Sequence, residues 1–281
     1  MERKKIAIVG HGFVGKATDT IFNMNVDKFI VDPKYGNGIK DLKAFEPEFI
    51  FICVPTPMGD HGQDGKILED VINEIYKENI EAVLIIKSTV IPANLNKFKN
   101  KFENIIYNPE FLRERHAIDD FIDSKFIILG GKIDAAKKVA ELYKKNSECK
   151  ADDFIFTDIE KASLVKYTVN SFLASKVLFF NQIYELFMAH GYSEKDWEEF
   201  TEIIALDKRV GSSHMSVPGH DGRKGYGGAC FPKDIDALIK HADNKGINLD
   251  LLKNIQQINN DIRSGYTSIT EREEEQNIKF K

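Results

Sequence analysis

Several things are scarce in this sequence, and each shortage removes a class of function. There are three cysteines, Cys53, Cys149 and Cys230, an odd number set far apart. They build no disulfide framework and fit a reducing cytoplasm, which excludes a cross-linked secreted scaffold. The seven histidines (His11, His61, His116, His190, His214, His220 and His241) show no metal-ligand spacing, so no zinc site is expected. No apolar run approaches the ~20 residues that span a bilayer, and no membrane partner is expected. The chain passes from Met-Glu-Arg-Lys-Lys into Ile6–Val9, where a glycine loop cuts the apolar run short, so no signal peptide is expected there. Basic residues form no block or aromatic-basic stripe, and the net charge is −5, so no nucleic acid polymer is expected as a partner.

A chain of 281 residues that is 42% apolar has room for two domains with real cores. Its first half alternates short apolar runs with helical patterns. Ile6–Val9, Lys28–Val31, Phe49–Val54, Val83–Lys87, Asn104–Tyr107 and Phe126–Leu129 read as buried strands, with Phe154–Thr157 closing the set. Leu68–Glu78 and Ala135–Lys145 read as helices between them. This alternation predicts an α/β, Rossmann-like, doubly wound parallel sheet over residues 1–157. From Asp158 to His190 an apolar period runs through Leu164, Tyr167, Val169, Phe172, Leu173, Val177, Phe180, Ile183, Leu186 and Phe187 without a breaker. That predicts one long connecting helix and a mainly α-helical domain over 158–265, with further helices at Asp196–Ala205, Lys233–Asp243 and Leu249–Arg263. The long helix carries more apolar residues than one face needs, which predicts a homodimer packed along it. Asp207–Ala229 reads as a long loop, and such loops are mostly functional. Residues 266–281 read as a charged tail, frayed from Thr270 onward.

Gly10-His11-Gly12-Phe13-Val14-Gly15 follows the first strand and opens a helix. In that position Gly10 permits a tight turn, Gly12 lets backbone approach a pyrophosphate, and Gly15 lets helix pack on strand. Asp32, at the end of the second strand, suits the ribose hydroxyls and repels a 2′-phosphate, so NAD is the expected cofactor. The alternative is a glycine turn that holds no dinucleotide. Polar residues four apart then mark the chemistry: Glu110 with Glu114, Lys166 with Asn170, Cys230 with Asp234. Pro232 suits a first helical turn and places Cys230 at the helix start, where the dipole favours thiolate. Each pKa unit below the usual value of about 8.5 is worth roughly 1.4 kcal/mol toward thiolate. Every one of these residues also has a plain reading: Cys230 as a small core residue, the glutamates as a solvated face, Lys166 as one surface lysine among many. Cys53 reads as a core residue and Cys149 as surface.

At these motifs the sequence resembles the UDP-glucose/GDP-mannose dehydrogenase family. The resemblance runs from Gly10–Gly15 through Val54-Pro55-Thr56-Pro57, Ser88-Thr89-Val90, Asn108–Glu114, the stretch holding Lys166 and Asn170, and Asp207-Lys208-Arg209-Val210-Gly211, to Gly225-Tyr226-Gly227-Gly228-Ala229-Cys230-Phe231-Pro232-Lys233-Asp234. It implies that NAD rests on Gly10, Gly12, Phe13, Val14, Gly15, Asp32, Val54, Pro55, Thr56, Ser88 and Thr89. It implies Cys230 as nucleophile, Asp234 as acid/base, and Lys166 with Asn170 stabilising the substrate oxygen. By the same resemblance Thr89 and Glu114 would orient water, and Glu110 would serve hydrolysis of the covalent intermediate. A nucleotide-sugar substrate would meet Glu110, Phe111, Leu112, Lys166, Asn170, Arg209, Tyr226, Gly227 and Gly228. The implied reaction is the four-electron oxidation of the C6 alcohol of UDP-glucose to UDP-glucuronate, with GDP-mannose and UDP-N-acetylmannosamine as alternative substrates. A thiol separates this double oxidation from the single one of two-domain β-hydroxyacid dehydrogenases; a homologue without activity is the third reading. Members of that family usually carry a further C-terminal α/β domain that helps clamp the nucleotide. This sequence stops soon after the helix that would lead into it, and its stretch between Asp32 and Phe49 is short.

Overall fold

The computed structural model describes residues 3–60, 62–99, 102 and 104–280; His61 lies outside them. The chain divides into two compact units, one of residues 1–56 and 64–166, the other of 57–63 and 167–281.

The first unit is built on strands β1 (Lys4–Val9), β2 (Val26–Val31), β3 (Phe49–Ile52), β6 (Val83–Ile86), β7 (Ile105–Tyr107), β8 (Phe126–Gly131) and β9 (Asp153–Thr157), in the spatial order β2-β1-β3-β6-β7-β8-β9. The intervening β4 (Met58–Gly59) and β5 (Gly62–Gln63) form a separate small hairpin that belongs to the second unit. The inner strands β3, β6 and β7 are continuously apolar because both faces of the sheet are covered there, whereas the edge strand β2, expected to be buried over Lys28–Val31, is buried only at Val26 and Val31. Ile6, Ile8, Phe49, Phe51, Val83 and Ile85 point into a core shared with helices α1 (Phe13–Ile21), α5 (Ala117–Ile122) and α6 (Ile133–Asn146). Their neighbours Ala7, Val9, Ile50, Ile52, Leu84 and Ile86 point the other way, into a core shared with α2 (Leu42–Phe45), α3 (Lys66–Lys77), α4 (Pro92–Lys99) and the start of α7 (Ile159–Ala189). Strand order reverses between β1, which is followed by β2 on one side, and β3 on the other. The crevice outside the carboxyl ends of such a pair is where doubly wound sheets take ligands. The glycine loop leaves β1 at that point.

The sheet departs from the expected all-parallel form at one pair. β8 runs antiparallel to β7, through Ile106 with Gly131 and Tyr107 with Gly130. The chain between them holds a one-turn 3₁₀ helix and the six-residue α5 rather than a full crossover helix of the kind that returns a parallel strand. Cys149 also differs from expectation: it is half-buried and packs against the first core layer. Backbone bonds from Glu148 to Ile21 and from Lys150 to Ile122 tuck it in.

In the second unit the remainder of α7, a 31-residue helix in all, packs with α8 (Glu194–Ala205), α9 (Phe231–Asp243) and α10 (Asp250–Ser264). Ser193 caps α8 in a reciprocal capping box with Asp196. Residues 207–229 contain no helix or strand, as expected. Residues 270–280 depart from the expected frayed tail. Thr270 caps a short helix, α11 (Glu271–Glu275), Glu273 and Ile278 are buried, and Met58 donates a backbone bond to Gln276. A buried ion pair and an apolar anchor outweigh the charged composition from which fraying was expected.

Candidate active site

Gly10 and Gly15 are required by contacts within the protein itself, and Gly12 is not. Gly10 has φ +87°, and a Cβ there would lie 2.8 Å from the Cys53 carbonyl oxygen. A Cβ on Gly15 would come within 2.0 Å of the Gly10 oxygen, so only glycine lets α1 start this close to the loop. A Cβ on Gly12 would meet no protein atom within 4 Å, and Gly12 caps α1 without a side-chain bond. An open backbone edge at a helix N-terminus fits an anionic pyrophosphate. Asp32 stands beside it, accepting from the His11 N–H at 2.7 Å and the Lys34 N–H at 3.2 Å. Burial works to raise the Asp32 carboxyl, but those bonds and the Lys34 charge outweigh it and hold the group below the usual carboxylate range. Each of its oxygens keeps a further lone pair, so a ribose diol fits here. Of the other residues expected near the cofactor, Val54, Thr56 and Ser88 are buried, Pro55 is exposed, and Phe13, Val14 and Thr89 are half-buried. Ser88 donates to the Val54 oxygen at 2.7 Å and Thr56 to the Thr89 oxygen at 2.8 Å, so the segments after β3 and β6 lock together.

Lys166 and Glu110 do meet. The ammonium, 3% exposed, donates to the Glu110 backbone oxygen at 2.5 Å and to its carboxylate at 3.2 Å, and lies over the Phe111 ring. Glu110 also accepts from the Leu112 N–H at 2.6 Å. Glu110 and Glu114 do not share a helix face as their spacing suggested. Residues 108–113 are irregular, and Glu114 is exposed where the 3₁₀ helix begins. The Glu110 backbone oxygen and carboxylate both accept from Lys166, and the carboxylate also takes the Leu112 N–H, which holds the segment in an irregular path. Phe111 and Leu112 are half-buried against the two core layers.

Sequence reasoning missed what holds this segment. Asn108 Oδ1 accepts from Tyr143 at 2.7 Å and from Lys87 at 3.1 Å, while its amide donates to the Ile128 oxygen at 3.0 Å. Lys87 is buried, and burial pushes its ammonium down to about 8. Burial pushes the nearby Cys53 thiol up to about 12, which fits the inert core role expected of it. A lysine next to Ser88-Thr89 was the available signal.

In the second unit Cys230 is the N-cap of α9, with Pro232 in the first turn as anticipated. The Asp234 N–H donates to the Cys230 oxygen at 3.0 Å, which puts thiol and carboxylate on one turn. Asp234 is fully buried; Asn170 donates to it at 2.6 Å and Lys233 at 2.6 Å. Lys233, a neighbour in sequence that spacing did not mark, therefore neutralises the buried acid. Tyr226 is buried against Phe231, and burial raises its phenol. Arg209 is exposed and grips Asp207 at 2.6 Å. Its loop is tied down by Lys176, which donates to the Val210 and Gly211 oxygens at 2.9 and 3.2 Å. Among the described residues no group of His, Cys, Asp and Glu could hold a metal ion, and no helix is long and apolar enough to cross a membrane.

A doubly wound sheet with a glycine loop at its switch point, followed by a helical unit with a capped cysteine, defines a dinucleotide-binding protein with an appended helical unit. Comparison with known proteins narrows this. The NAD binding domain of the UDP-glucose/GDP-mannose dehydrogenase family matches residues 35–147, and the central domain of that family matches 160–261. The chain is 36% identical over 301 residues to a putative UDP-glucose 6-dehydrogenase of Bacillus subtilis, covering 91% of this chain and 67% of that one. It is 31% identical over 253 residues to the UDP-glucose 6-dehydrogenase of Rickettsia prowazekii, covering 85% of this chain and 56% of that one. The fold matches a UDP-glucose dehydrogenase from Pyrobaculum islandicum with a TM-score of 0.73 at 24% identity, over 92% of this chain and 68% of the other. The chain belongs to the UDP-glucose/GDP-mannose dehydrogenase family. It spans little more than half the length of the Rickettsia relative.

Proposed function

We propose that the chain oxidises the C6 alcohol of a nucleotide sugar, UDP-glucose first, to the carboxylate at the expense of two NAD. The observation that carries this reading is Cys230 capping α9 one turn from the buried Asn170–Asp234–Lys233 cluster. NAD would be held by Gly10–Gly15 and Asp32 with Val54, Pro55, Thr56, Ser88 and Thr89 beside it, and would supply the acceptor for one hydride at a time, NADH being exchanged for a second NAD between the two oxidations. Asp234 takes the alcohol proton as the first hydride leaves, and Asn170 and Lys166 stabilise the oxygen as charge develops. The Cys230 sulfur then bonds to the aldehyde carbon, so the intermediate is held rather than lost. Loss of the second hydride to a second NAD, with the hydroxyl proton passing to the Asp234 carboxylate, turns this thiohemiacetal into a thioester. Water, positioned by Glu110 with Thr89 and Glu114, adds to the thioester carbon; the carbon–sulfur bond breaks, and carboxylate and thiol are regenerated. Arg209, Phe111, Leu112, Tyr226 and the Gly227-Gly228 turn contact the sugar nucleotide. A catalytic thiol of this kind suits a reducing cytoplasm.

The active species is a homodimer. Val165, Phe172, Phe179 and Leu186 are all exposed and recur every seven residues along α7. Residues seven apart drift by only about 20° around a helix and so form one apolar stripe, which a second copy of the chain would cover.

The test is to mix the protein with NAD and, in turn, UDP-glucose, GDP-mannose and UDP-N-acetylmannosamine, and follow NADH absorbance. Turnover greatest with UDP-glucose is expected. Greater turnover with either alternative replaces the substrate, and silence with all three overturns the reading.

A further inference from the structure

The loop that leads into Cys230 has no secondary structure, yet its backbone is fixed almost residue by residue by side chains from distant positions. The Lys224 N–H donates to the Tyr266 hydroxyl at 2.8 Å. The Gly225 N–H donates to Asn181 at 2.9 Å. Asn259 brackets Tyr226, accepting from its N–H at 2.7 Å and donating to its oxygen at 3.0 Å. The Gly228 N–H donates to Glu273 at 3.2 Å. Gly227 lies flat on the Arg263–Glu273 pair: a Cβ there would fall 1.8 Å from the Arg263 guanidinium and 2.4 Å from the Glu273 carboxylate.

That pair is the centre of the arrangement. Arg263 and Glu273 are both buried, and the guanidinium donates to Glu273 at 2.5 Å and to Asp221 at 2.7 Å. Arg223 adds a second cation 4.0 Å from the carboxylate. Glu273 is presented by α11, whose capping residue Thr270 both donates to the Glu273 carboxylate, at 2.8 Å, and accepts from its N–H, at 3.3 Å. A buried ion pair is weak support for stability in general, because desolvation offsets the attraction. One whose carboxylate spends a lone pair on a loop N–H two residues before a helix-capping cysteine does something more specific: it fixes where that cysteine stands.

We infer that Glu273, seated on Arg263, is a positioning residue for Cys230, holding the Gly227-Gly228 turn so that the thiol is presented at the N-terminus of α9. The role of Cys230 rests on the dehydrogenase reading; the positioning itself does not. The residue acts through the loop and touches no reacting atom. Losing it leaves the thiol in place but poorly oriented, and misplacement of a reacting group by about 1 Å costs on the order of a hundredfold in rate.

The test uses the full chain with Glu273→Gln, the milder Thr270→Ala, and Glu274→Gln, an exposed neighbour, as the control. Two quantities are read: the rate of iodoacetamide alkylation at each cysteine, resolved by peptide mass, and kcat against KM. The expected result is faster alkylation of Cys230 in Glu273→Gln, with Cys53 and Cys149 unchanged. With it, kcat falls about tenfold to a hundredfold while the KM for NAD holds. Thr270→Ala moves the same way by less, and Glu274→Gln behaves as wild type. Equal acceleration at all three cysteines, or wild-type alkylation and kcat in both variants even with a lowered melting temperature, overturns the inference. Alkylation needs no substrate, so selective acceleration at Cys230 in a protein silent on every nucleotide sugar supports the positioning role while the dehydrogenase reading fails.

Discussion

The glycine-loop edge of the first unit and the cysteine loop of the second are held in place by opposite means. In the first, position follows from regular structure: the glycine loop emerges where β1 ends, Asp32 where β2 ends, Ser88 where β6 ends. Sheet register alone brings these points to one edge. In the second, Cys230 follows a loop whose N–H and C=O groups are satisfied by Asn181, Asn259, Tyr266 and Glu273, reached from α7, α10 and the tail. A sheet edge is robust because many strands share the load. A loop held by side chains is specific but depends on single residues.

Breaking each unit should therefore look different. Phe51 is fully buried in the central strand β3, and Phe51→Ala should cost about 3–5 kcal/mol of stability, seen as an earlier denaturant midpoint with the first unit unfolding. Gly15→Ala places a methyl against the Gly10 oxygen; overpacking of this kind costs about 1–3 kcal/mol, and NAD affinity measured by calorimetry should fall with it. The acid side of the stability profile should expose the second unit. Burial works to raise the Glu273 carboxyl, but the Thr270 N–H and Arg263 outweigh it and hold it low. Its folded pKa thus lies below the unfolded one, and its contribution is complete above the ordinary glutamate value of about 4.3 and fades as pH falls below it. The melting-temperature gap between wild type and Glu273→Gln should be constant near neutrality and close toward pH 3. Phe172→Ser, on the exposed stripe of α7, should leave stability nearly unchanged yet shift the solution mass from dimer to monomer. A wild type that is already monomeric contradicts the proposed dimer.

The same contrast explains what could be read in advance. The inner strands are short apolar runs bounded by turn residues and α7 follows a helical apolar period, so β1, β3, β6 and α7 were legible to within a few residues. The reversed β8 was not, because periodicity carries no direction. The pairings Lys166–Glu110 and Asn170–Asp234 join residues that motif spacing had already marked, though it could not say which would meet. Lys233 was hidden beside Asp234, since lysines are so often solvated, and Lys87 inside a strand end. Arg263 and Glu273 were invisible for a plainer reason: a charged tail looks the same in sequence whether its glutamate faces water or a buried guanidinium.

The central claim is that Cys230 makes one site perform two successive oxidations. It is tested most directly by counting NADH formed per UDP-glucose consumed in the wild type and in Cys230→Ala. Two NADH per sugar from the wild type, with the variant's double oxidation lost by about a thousandfold or more, is the predicted result. Full turnover with two NADH per sugar in Cys230→Ala would contradict it.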